Sequence, residues 1–428
     1  MKLRFFLVFL LAACAPLRAA IAPNIVMIVS DDHHWADYAF MGSKDVRTPN
    51  LDKLAARSVV FERGYVPSSL CCPSLATIVS GLYPHQHKVT SNDPPLPKDG
   101  TAKKQFNKSK EFQDGREVMN RHMEAVATLP KLLGQNGYVT FQTGKWWQGH
   151  FSRGGFTHGM TKGFRHGDDG LEIGRTTMQP IYDFIAEAQK DKKPFMVWYA
   201  PMLPHTPHNP PDRLLAKYKG KASESVTKYW AMVEWFDETC GQLLDHLEAK
   251  GLRENTLVVY VADNGWITDP EASKYAPRSK QSQYEGGVRT PILVSWPGKA
   301  PPQRSPHFAS SIDLAPTLLK AAGIAKPAAM QGIDLLDAAA LKGRTAVFGE
   351  CFTHNSMDLN RPAASLRWRY IVEGDWKLIV PAPQNEPNAP IELYNVKADP
   401  DEKKNLAAQE KDRVAKLSAK LDGWWAGK

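Results

Sequence analysis

Runs of apolar residues alternate with helical patterns up to about residue 325. The first run, 24–30 (NIVMIVS), is apolar throughout, which is typical of a strand buried on both faces. Strands that alternate with helices predict an α/β fold, with a large, mostly parallel central sheet flanked by helices. Further strands are predicted at 138–143, 194–200, 256–262 and 291–298, and helices at 48–58, 124–137 and 224–250.

The pattern changes after about residue 325. The stretches 365–380 and 391–396 are typical of short antiparallel strands, and a last helix is predicted at about 410–425. We therefore expect a main domain over 22–325 and a small C-terminal α+β subdomain over 326–428.

Residues 1–20 have the composition of a secretion signal. Lys2 precedes an apolar stretch that is too short to span a bilayer as a stable helix. Two processing routes fit the sequence: cleavage near Ala20 or Ala22, or a lipoprotein-type cleavage that leaves Cys14 as a lipidated first residue. We expect an exported protein, periplasmic or secreted, with membrane contact only through a lipid anchor at Cys14.

Composition and charge narrow the function only a little. The 428 residues are 43% hydrophobic and 23% charged, which is ordinary for a globular protein. The formal net charge of +9 favours an anionic partner. We expect no nucleic-acid partner. Of two polar stretches, 90–118 is expected to be mainly solvated surface and 149–175 a loop that faces a substrate.

The cysteines lack the spacing of a zinc site. Cys240 and Cys351 are expected to be small buried residues, although a disulfide between them is conceivable in an exported protein. Cys71 and Cys72 are adjacent, and adjacent cysteines rarely bridge each other comfortably. At least one of this pair needs another explanation.

Acidic and amide side chains follow two of the predicted strands. Asp31 and Asp32 come directly after the first strand, and Asp263 and Asn264 come after the strand at 256–262. In open α/β sheets, ligands bind beyond the carboxyl ends of the strands. One such pair alone could be a turn or a helix cap, but two pairs favour a site for Ca²⁺ or Mg²⁺.

Cys71 is predicted to stand at the beginning of a helix whose first turn contains Pro73. Proline is prearranged for that position, and its missing N–H costs nothing there. The free backbone amides and the positive end of the helix dipole favour an anion at this point. A nucleophile placed there beside a divalent cation is arranged to attack a negatively charged group.

Taken in order, the motifs of this chain resemble those of type I sulfatases, in the alkaline-phosphatase superfamily. CCPS followed by GLYPHQH further resembles the branch that includes N-acetylglucosamine-6-sulfatases. The resemblance covers nearly the whole mature chain and identifies 22–325 as the catalytic domain. The motifs are PNIVMIVSDD at 23–32, CCPS at 71–74, GKW at 144–146, PHTP at 204–207, DNG at 263–265, KQSQYEGGVRTPILVSWPG at 280–298 and ELYNVKADPDEKKNLA at 392–407.

The resemblance implies that Cys71 is oxidised to formylglycine by a maturation enzyme, with Cys72 at a variable position. A sulfate ester resists anionic nucleophiles because its oxygens repel them. A hydrated aldehyde offers one hydroxyl for attack on sulfur and a second that expels sulfate.

The resemblance also implies a metal centre. Asp31, Asp32, Asp263 and Asn264 match the metal ligands of the family, and the oxidised side chain of Cys71 is a further ligand. The family favours calcium, with magnesium as the alternative.

Three cationic or imidazole side chains match other site residues of the family. Lys145 matches the lysine beside the formylglycine and the sulfate. His205 and Lys280 match residues that bind sulfate and help to protonate the leaving alcohol. A structural or solvent role is favoured at least equally for six other histidines: His33, His34, His85, His87, His150 and His208.

Two positions depart from the family pattern. Leu75 stands where C-x-P-S-R has arginine, and Trp147 stands where GKWHLG has histidine. An indole N–H can donate a hydrogen bond but cannot act as a base. The departures allow a rearranged site in which Gln148, His150 or Arg153 substitutes, an unconverted cysteine, or a catalytically silent relative.

Three functions remain open at this point. The leading hypothesis is an exported enzyme that removes sulfate from a sulfated carbohydrate. The second is a phosphodiester or phosphonate monoester hydrolase of the same superfamily. The third is a non-catalytic binder of sulfated glycans, motivated by the two departures.

Overall fold

The structure, a computed structural model, describes residues 22–97 and 106–428, without the side chain of Arg165. The predicted signal segment and Cys14 lie outside the described residues. No helix within the described ranges is both long enough and apolar enough to cross a bilayer.

The described chain forms three sheets and a set of α-helices. The strands are β1 (Asn24–Ser30), β2 (Val59–Phe61), β3 (Gly64–Tyr65), β4 (Val139–Gly144), β5 (His158–Gly159), β6 (Phe195–Ala200), β7 (Thr256–Ala262), β8 (Ile292–Ser295), β9 (Gln303–Ser305), β10 (Ala309–Ser310), β11 (Ala346–Phe352), β12 (Leu366–Glu373), β13 (Trp376–Pro381) and β14 (Glu392–Asn395). The α-helices are α1 (Pro49–Ala56), α2 (Cys71–Ser80), α3 (Pro84–His87), α4 (Lys110–Glu124), α5 (Leu129–Gln135), α6 (Gln179–Lys190), α7 (Asp212–Tyr218), α8 (Glu224–Ala249), α9 (Glu285–Val288), α10 (Leu314–Ala321), α11 (Ala338–Gly343) and α12 (Lys411–Trp424).

The main sheet has eight strands in the order β5-β4-β6-β1-β7-β8-β2-β9. From β5 to β7 every neighbouring pair is parallel, whereas β8 pairs antiparallel with both β7 and β2. The expectation of a mostly parallel central sheet is confirmed.

Helices cover both faces of this sheet because successive side chains of a buried strand point to opposite sides. Ile25, Met27 and Val29 of β1 pack into one core with α2, α5 and α10. Val26 and Ile28 pack into a second core with α1, α6 and α8. The uninterrupted apolar run at 24–30 therefore fills two cores at once.

The predicted strands are found within one to three residues of their expected ends, and so are the helices at 48–58 and 224–250. The helix expected over 124–137 is instead the end of α4 and the shorter α5. The expectation that 90–118 is mainly solvated surface is wrong in part. Ser91, Asn92 and Asp93 are buried, and α4 begins at Lys110. Polar composition misled here because these buried side chains sit beside other polar groups.

The C-terminal sheet, β11-β12-β13-β14, is antiparallel throughout, as expected. Tyr370 and Val372 of β12 pack into the core that contains α2, while Ile371 packs against α12. One face of the small sheet is thus covered by the main domain and the other by the last helix.

A buried ion-pair cluster joins the two parts of the chain. Lys377 of β13 has no solvent exposure and lies 3.0 Å from Glu285 and 3.1 Å from Glu402. The Tyr65 hydroxyl donates to the same Glu285 carboxylate at 3.0 Å. Two buried carboxylates therefore share one ammonium group, and Arg289 lies a further 3.8 Å from Glu285.

Replacing that ammonium is expected to destabilise the fold strongly. Lys377→Met leaves Glu402 buried without its cation and Glu285 with only the more distant Arg289, which costs about 3–5 kcal/mol. The midpoint of unfolding in urea measures the loss. Lys397→Met is the matched control, because Lys397 on the same subdomain is 78% exposed and lies 3.7 Å from its partner Asp375. A Lys377→Met midpoint equal to that of the control would contradict the assignment.

Candidate active site

Four oxygen-bearing side chains meet at the carboxyl edge of the main sheet. Asp31 and Asp32 follow β1, and Asp263 and Asn264 follow β7, its parallel neighbour. The Asp263 amide donates to the Ser30 carbonyl at 2.8 Å, so the strand pairing continues up to these side chains. All four side chains are buried. The expectation that the two strand ends converge is confirmed.

Cys71 is the first residue of α2, and its thiol lies against this edge. Its Sγ is 3.9 Å from Oδ1 of Asp31. One potential ligand atom from each of Asp31, Asp32, Cys71 and His205 lies within 4.8 Å of the others. Burial raises the pKa of the Cys71 thiol well above its ordinary value, against the opposing effect of Lys145. The unmodified side chain is therefore a protonated thiol at neutral pH.

Two buried lysines form ion pairs with the carboxylates of Asp31 and Asp32. Lys145 donates to Asp31 at 2.6 Å, and Lys280 donates to Asp32 at 2.7 Å. Burial alone would lower the pKa of each lysine, but the neighbouring carboxylate raises it overall above its ordinary value. Burial also acts to raise the pKa of Asp32, yet Lys280 and the other nearby cations bring it down to about 2. Both ammonium groups and the Asp32 carboxylate are therefore charged.

Two oxygen atoms at the edge have no hydrogen-bond partner among the described residues. They are Oδ2 of Asp263 and Oδ1 of Asn264, and both are buried. The other terminal atom of each side chain already forms a hydrogen bond. Oδ1 of Asp263 accepts from the Asp32 backbone amide at 3.1 Å, and Nδ2 of Asn264 donates to the Asp32 side chain at 2.7 Å. Buried polar atoms of this kind require a partner such as a water or an ion.

The charges at the edge also fit a divalent cation. Asp31, Asp32 and Asp263 offer three carboxylates, against the two ammonium groups of Lys145 and Lys280. Burial and the charge of Asp31 raise the pKa of Asp263 well above its ordinary value. A divalent cation would remove this repulsion and leave an excess of positive charge that attracts an anion. The donor set, hard oxygens from carboxylates and an amide, is the set that Ca²⁺ and Mg²⁺ prefer.

His205 reaches the same point from the segment after β6. Its Nε2 is 3.5 Å from Asp32, and its Nδ1 is 2.5 Å from the Thr206 carbonyl. Burial lowers the pKa of His205 to about 4. The peptide bonds before Pro204 and Pro207, in the same segment, are both cis. The imidazole lies at the edge of the sheet, is 13% exposed and has one nitrogen facing Asp32.

A pocket of about 290 Å³ opens onto these groups. Cys71, His205 and Lys280 line it, together with residues that the sequence analysis did not single out. Those residues include Asn92, His166, Trp266 and His354. Trp266 follows the DNG motif, and His166 lies in the stretch 149–175 that the sequence predicts to face a substrate. Only the fold brings Asn92 and His354 to Cys71.

The other candidate histidines do not line this pocket. His33 contacts the Asp37 carbonyl at 3.0 Å, and His87 contacts Thr77 at 3.0 Å. His85 pairs with the buried Glu350 at 2.9 Å. His34 lies by Asp37, His208 packs near Tyr229 and Trp266, and His150 contacts Ser152 on the surface.

The two departures have different surroundings. Leu75 is buried in the core, whereas Trp147 lines the pocket. Of the three residues suggested as substitutes for the missing arginine and histidine, Gln148 is the one that contacts the beginning of α2. Its Nε2 donates to Cys72 Sγ at 2.9 Å. His150 and Arg153 line a different cavity, described below.

Arg116 of α4 is a further residue near the site that could not be expected from the sequence. It is buried, donates to the Asn92 carbonyl at 2.8 Å and also donates to the Trp147 carbonyl. The Asn92 side chain in turn accepts from the Cys72 amide at 2.9 Å. Arg116 thus ties the beginning of α2 to the segment that carries Trp147.

The remaining cysteines are free and buried. Cys240 and Cys351 form no disulfide, so the conceivable bridge between them is absent from the structure. The interpretation of both as small buried residues is confirmed.

Comparisons with known proteins agree with this geometry. A family model described as Sulfatase matches residues 23–324, and one described as N-sulphoglucosamine sulphohydrolase, C-terminal, matches residues 276–424. The N-acetylgalactosamine-6-sulfatase of Canis lupus familiaris is 27% identical over 380 residues, covering 78% of this chain and 69% of that protein. Arylsulfatase A of Homo sapiens is 29% identical over 388 residues, covering 76% and 69%.

A solved structure has the same fold. The structure of BT4656 in complex with its substrate D-glucosamine-2-N,6-O-disulfate gives a TM-score of 0.72 at 20% identity, covering 95% of this chain and 98% of that chain. The finer resemblance to the N-acetylglucosamine-6-sulfatase branch stays a prediction. The family match covers more than half of the chain, and the chain therefore belongs to the type I sulfatase family and is a sulfuric ester hydrolase.

Proposed function

We propose that this protein is an exported sulfatase that removes sulfate from a sulfated carbohydrate, using a formylglycine formed from Cys71 and a bound divalent cation. One observation carries the proposal. Carboxylates from two separate strand ends, two buried lysines and the Cys71 side chain converge on one point at the edge of the sheet.

The cation would be held by Asp31, Asp32, Asp263 and Asn264, with the oxidised side chain at 71 as a further ligand. When bound, it would supply Lewis-acid chemistry at the sulfate oxygens. The unpartnered oxygens of Asp263 and Asn264 support this assignment.

Conversion of Cys71 is supported by the state of its thiol. Because burial raises the thiol pKa, the unmodified side chain is a poor nucleophile. The aldehyde form would supply a hydrate with two hydroxyl groups, one to attack sulfur and one to release sulfate. A maturation enzyme is the partner that this step requires.

The chain's own residues would bind and orient the ester. Lys145 and Lys280 place two positive charges beside Cys71, where they would attract the sulfate oxygens. His205 and Lys280 line the pocket, and Lys280, as an ammonium group, would deliver a proton to the departing alcohol oxygen. Their carboxylate partners hold these side chains in place and limit the reorganisation needed during the reaction.

A sulfated carbohydrate is the favoured substrate class. The relatives include an N-acetylgalactosamine-6-sulfatase, and BT4656 is described with a disulfated glucosamine as its substrate. The net charge of +9 agrees with a polyanionic glycan.

The third hypothesis from the sequence, a catalytically silent binder of sulfated glycans, disagrees with the assignment of the chain to an enzyme family. Leu75 and Trp147 favour it, because neither can supply the groups that the family has at these positions. The contacts of Arg116 and Gln148 around Cys72 weigh against it, since they provide polar groups from elsewhere in the chain.

The first prediction concerns Cys71. Cys71→Ala is expected to reduce sulfate release from an aryl sulfate by at least about 10,000-fold, because it removes the attacking group. Mass spectrometry of the tryptic peptide 64–88 from the native host should show an aldehyde at position 71. Cys240→Ala, at a buried free cysteine away from the pocket, is the control.

A thiol at 71 together with no sulfate release would favour the silent binder, and full activity of Cys71→Ala would exclude the proposed chemistry. Phosphate diesters assayed in parallel would identify the alternative hydrolase.

The second prediction concerns the metal. Chelation with EGTA is expected to lower the melting temperature and abolish sulfate release, and added Ca²⁺ or Mg²⁺ should restore both, because a ligand that binds only the folded state stabilises it. Asp263→Asn is expected to raise the cation concentration needed by at least about tenfold. Glu224→Gln, which changes an exposed carboxylate, is the control. Melting curves that ignore both chelator and cation would refute the metal site.

The third prediction concerns Arg116 as a positioning residue. Arg116→Met removes its hydrogen bonds to the Asn92 and Trp147 carbonyls, so kcat is expected to fall about 10- to 100-fold with a smaller change in KM. Arg116→Lys should recover part of the loss. Arg121→Met, on the same helix at a 70% exposed position, is the matched control. An unchanged kcat in a folded Arg116→Met protein would rule out the positioning role.

A further inference from the structure

A second cavity, of about 610 Å³, lies beside the pocket at Cys71. Trp147 lines both cavities, and its buried indole forms the wall between them. The volume falls within the roughly 300–1,000 Å³ that is typical of small-molecule sites. The chemistry proposed above makes no use of this second space.

Most of the charge that lines the second cavity is already neutralised. Arg153 donates to Glu117 at 2.9 Å and to Glu124 at 2.6 Å. Lys162 lies 2.5 Å from Asp169. Arg116 also lines the cavity, but its guanidinium already donates to the Asn92 and Trp147 carbonyls. The lining therefore offers little free charge for a second sulfate and is better suited to an uncharged group.

One residue that lines this cavity has an unpartnered acceptor. Oδ1 of Asn120 has no hydrogen-bond partner among the described residues, although the residue is only 8% exposed. Asn120 lies on α4, one turn beyond Arg116, and both line the cavity. A buried acceptor of this kind calls for a donor such as a hydroxyl group.

An exposed aromatic ring stands at the same cavity. Phe164 is 77% exposed, the highest value among the exposed large apolar side chains of the described ranges. Its loop is held firmly, because the backbone N–H groups of Lys162, Gly163 and Phe164 donate to the Asp168 carboxylate at 2.6, 2.8 and 3.1 Å. The ring is thus presented to solvent on a preorganised loop, which lowers the entropy cost of binding.

We propose that this cavity, bounded by Asn120, Trp147 and Phe164, binds an uncharged sugar unit next to the sulfated unit at Cys71. A pyranose has an apolar C–H face that would stack on Phe164, and hydroxyl groups that would donate to Asn120. The inference rests on the proposed function for the class of glycan that spans both cavities. It makes the protein selective for an oligosaccharide over a sulfated monosaccharide.

The test measures binding by the full-length protein to an array of size-defined sulfated oligosaccharides of the carrageenan, chondroitin and heparan types, each with its sulfated monosaccharide. Wild type is expected to bind an oligosaccharide with an unsulfated second unit about tenfold more tightly than the monosaccharide, as one aromatic contact can provide. Phe164→Ala should abolish that gain, and Asn120→Leu should reduce it. Met357→Ala, at a 60% exposed apolar residue outside the cavity, should keep it.

Two results would overturn the inference. One is wild-type binding that gains nothing from the second unit of any glycan, or that gains only when this unit is sulfated. The other is a Phe164→Ala protein that behaves like Met357→Ala. Asp168→Ala adds a positioning test, since freeing the loop should weaken oligosaccharide binding while Phe164 itself is retained.

Assays of sulfate release separate this inference from the proposed function. If wild type releases sulfate from no ester but binds oligosaccharides with the expected dependence on Phe164, the catalytic proposal fails and the second sugar site stands. If sulfate is released with no gain from a second sugar, the catalytic proposal stands and the second site fails.

Discussion

Two buried ion pairs, Lys145 with Asp31 and Lys280 with Asp32, are the interactions around which the site is arranged. Carboxylates so close together in a buried place repel each other, and the strand ends could not hold them there without nearby cations. Each ammonium comes from a different segment, so the pairs also fix those segments at the edge of the sheet. Such pairs cost desolvation energy and are weak evidence for stability, which suggests that their arrangement is kept for the chemistry.

The two departures from the family pattern place apolar side chains where polar ones are usual. Leu75 simply joins the core, while Trp147 becomes a wall between two cavities. Polar contacts around the beginning of α2 come instead from Arg116 and Gln148. Side chains on neighbouring elements therefore supply polar contacts at the beginning of α2.

The sequence allowed the centre of the site to be predicted, because its residues directly follow strands or lie in contiguous motifs. Asp31 and Asp263 could be placed together since parallel strands end at one edge of a sheet. Arg116 could not be predicted, because only the packing of α4 brings it near the beginning of α2, whereas His166 lies in the stretch 149–175 that was expected to face a substrate. The antiparallel direction of β8 was also beyond reach, since periodicity is the same for either direction of a buried strand.

The cluster of Lys377, Glu285 and Glu402 has a consequence for how such proteins diversify. Glu285 lies five residues after Lys280, so the C-terminal subdomain anchors the short stretch that delivers a site lysine. A subdomain acquired from another gene would leave this stretch without its counter-charge. Recombination at this junction would therefore succeed only when both halves change together, and the two parts of the chain are expected to be inherited as a single evolutionary unit.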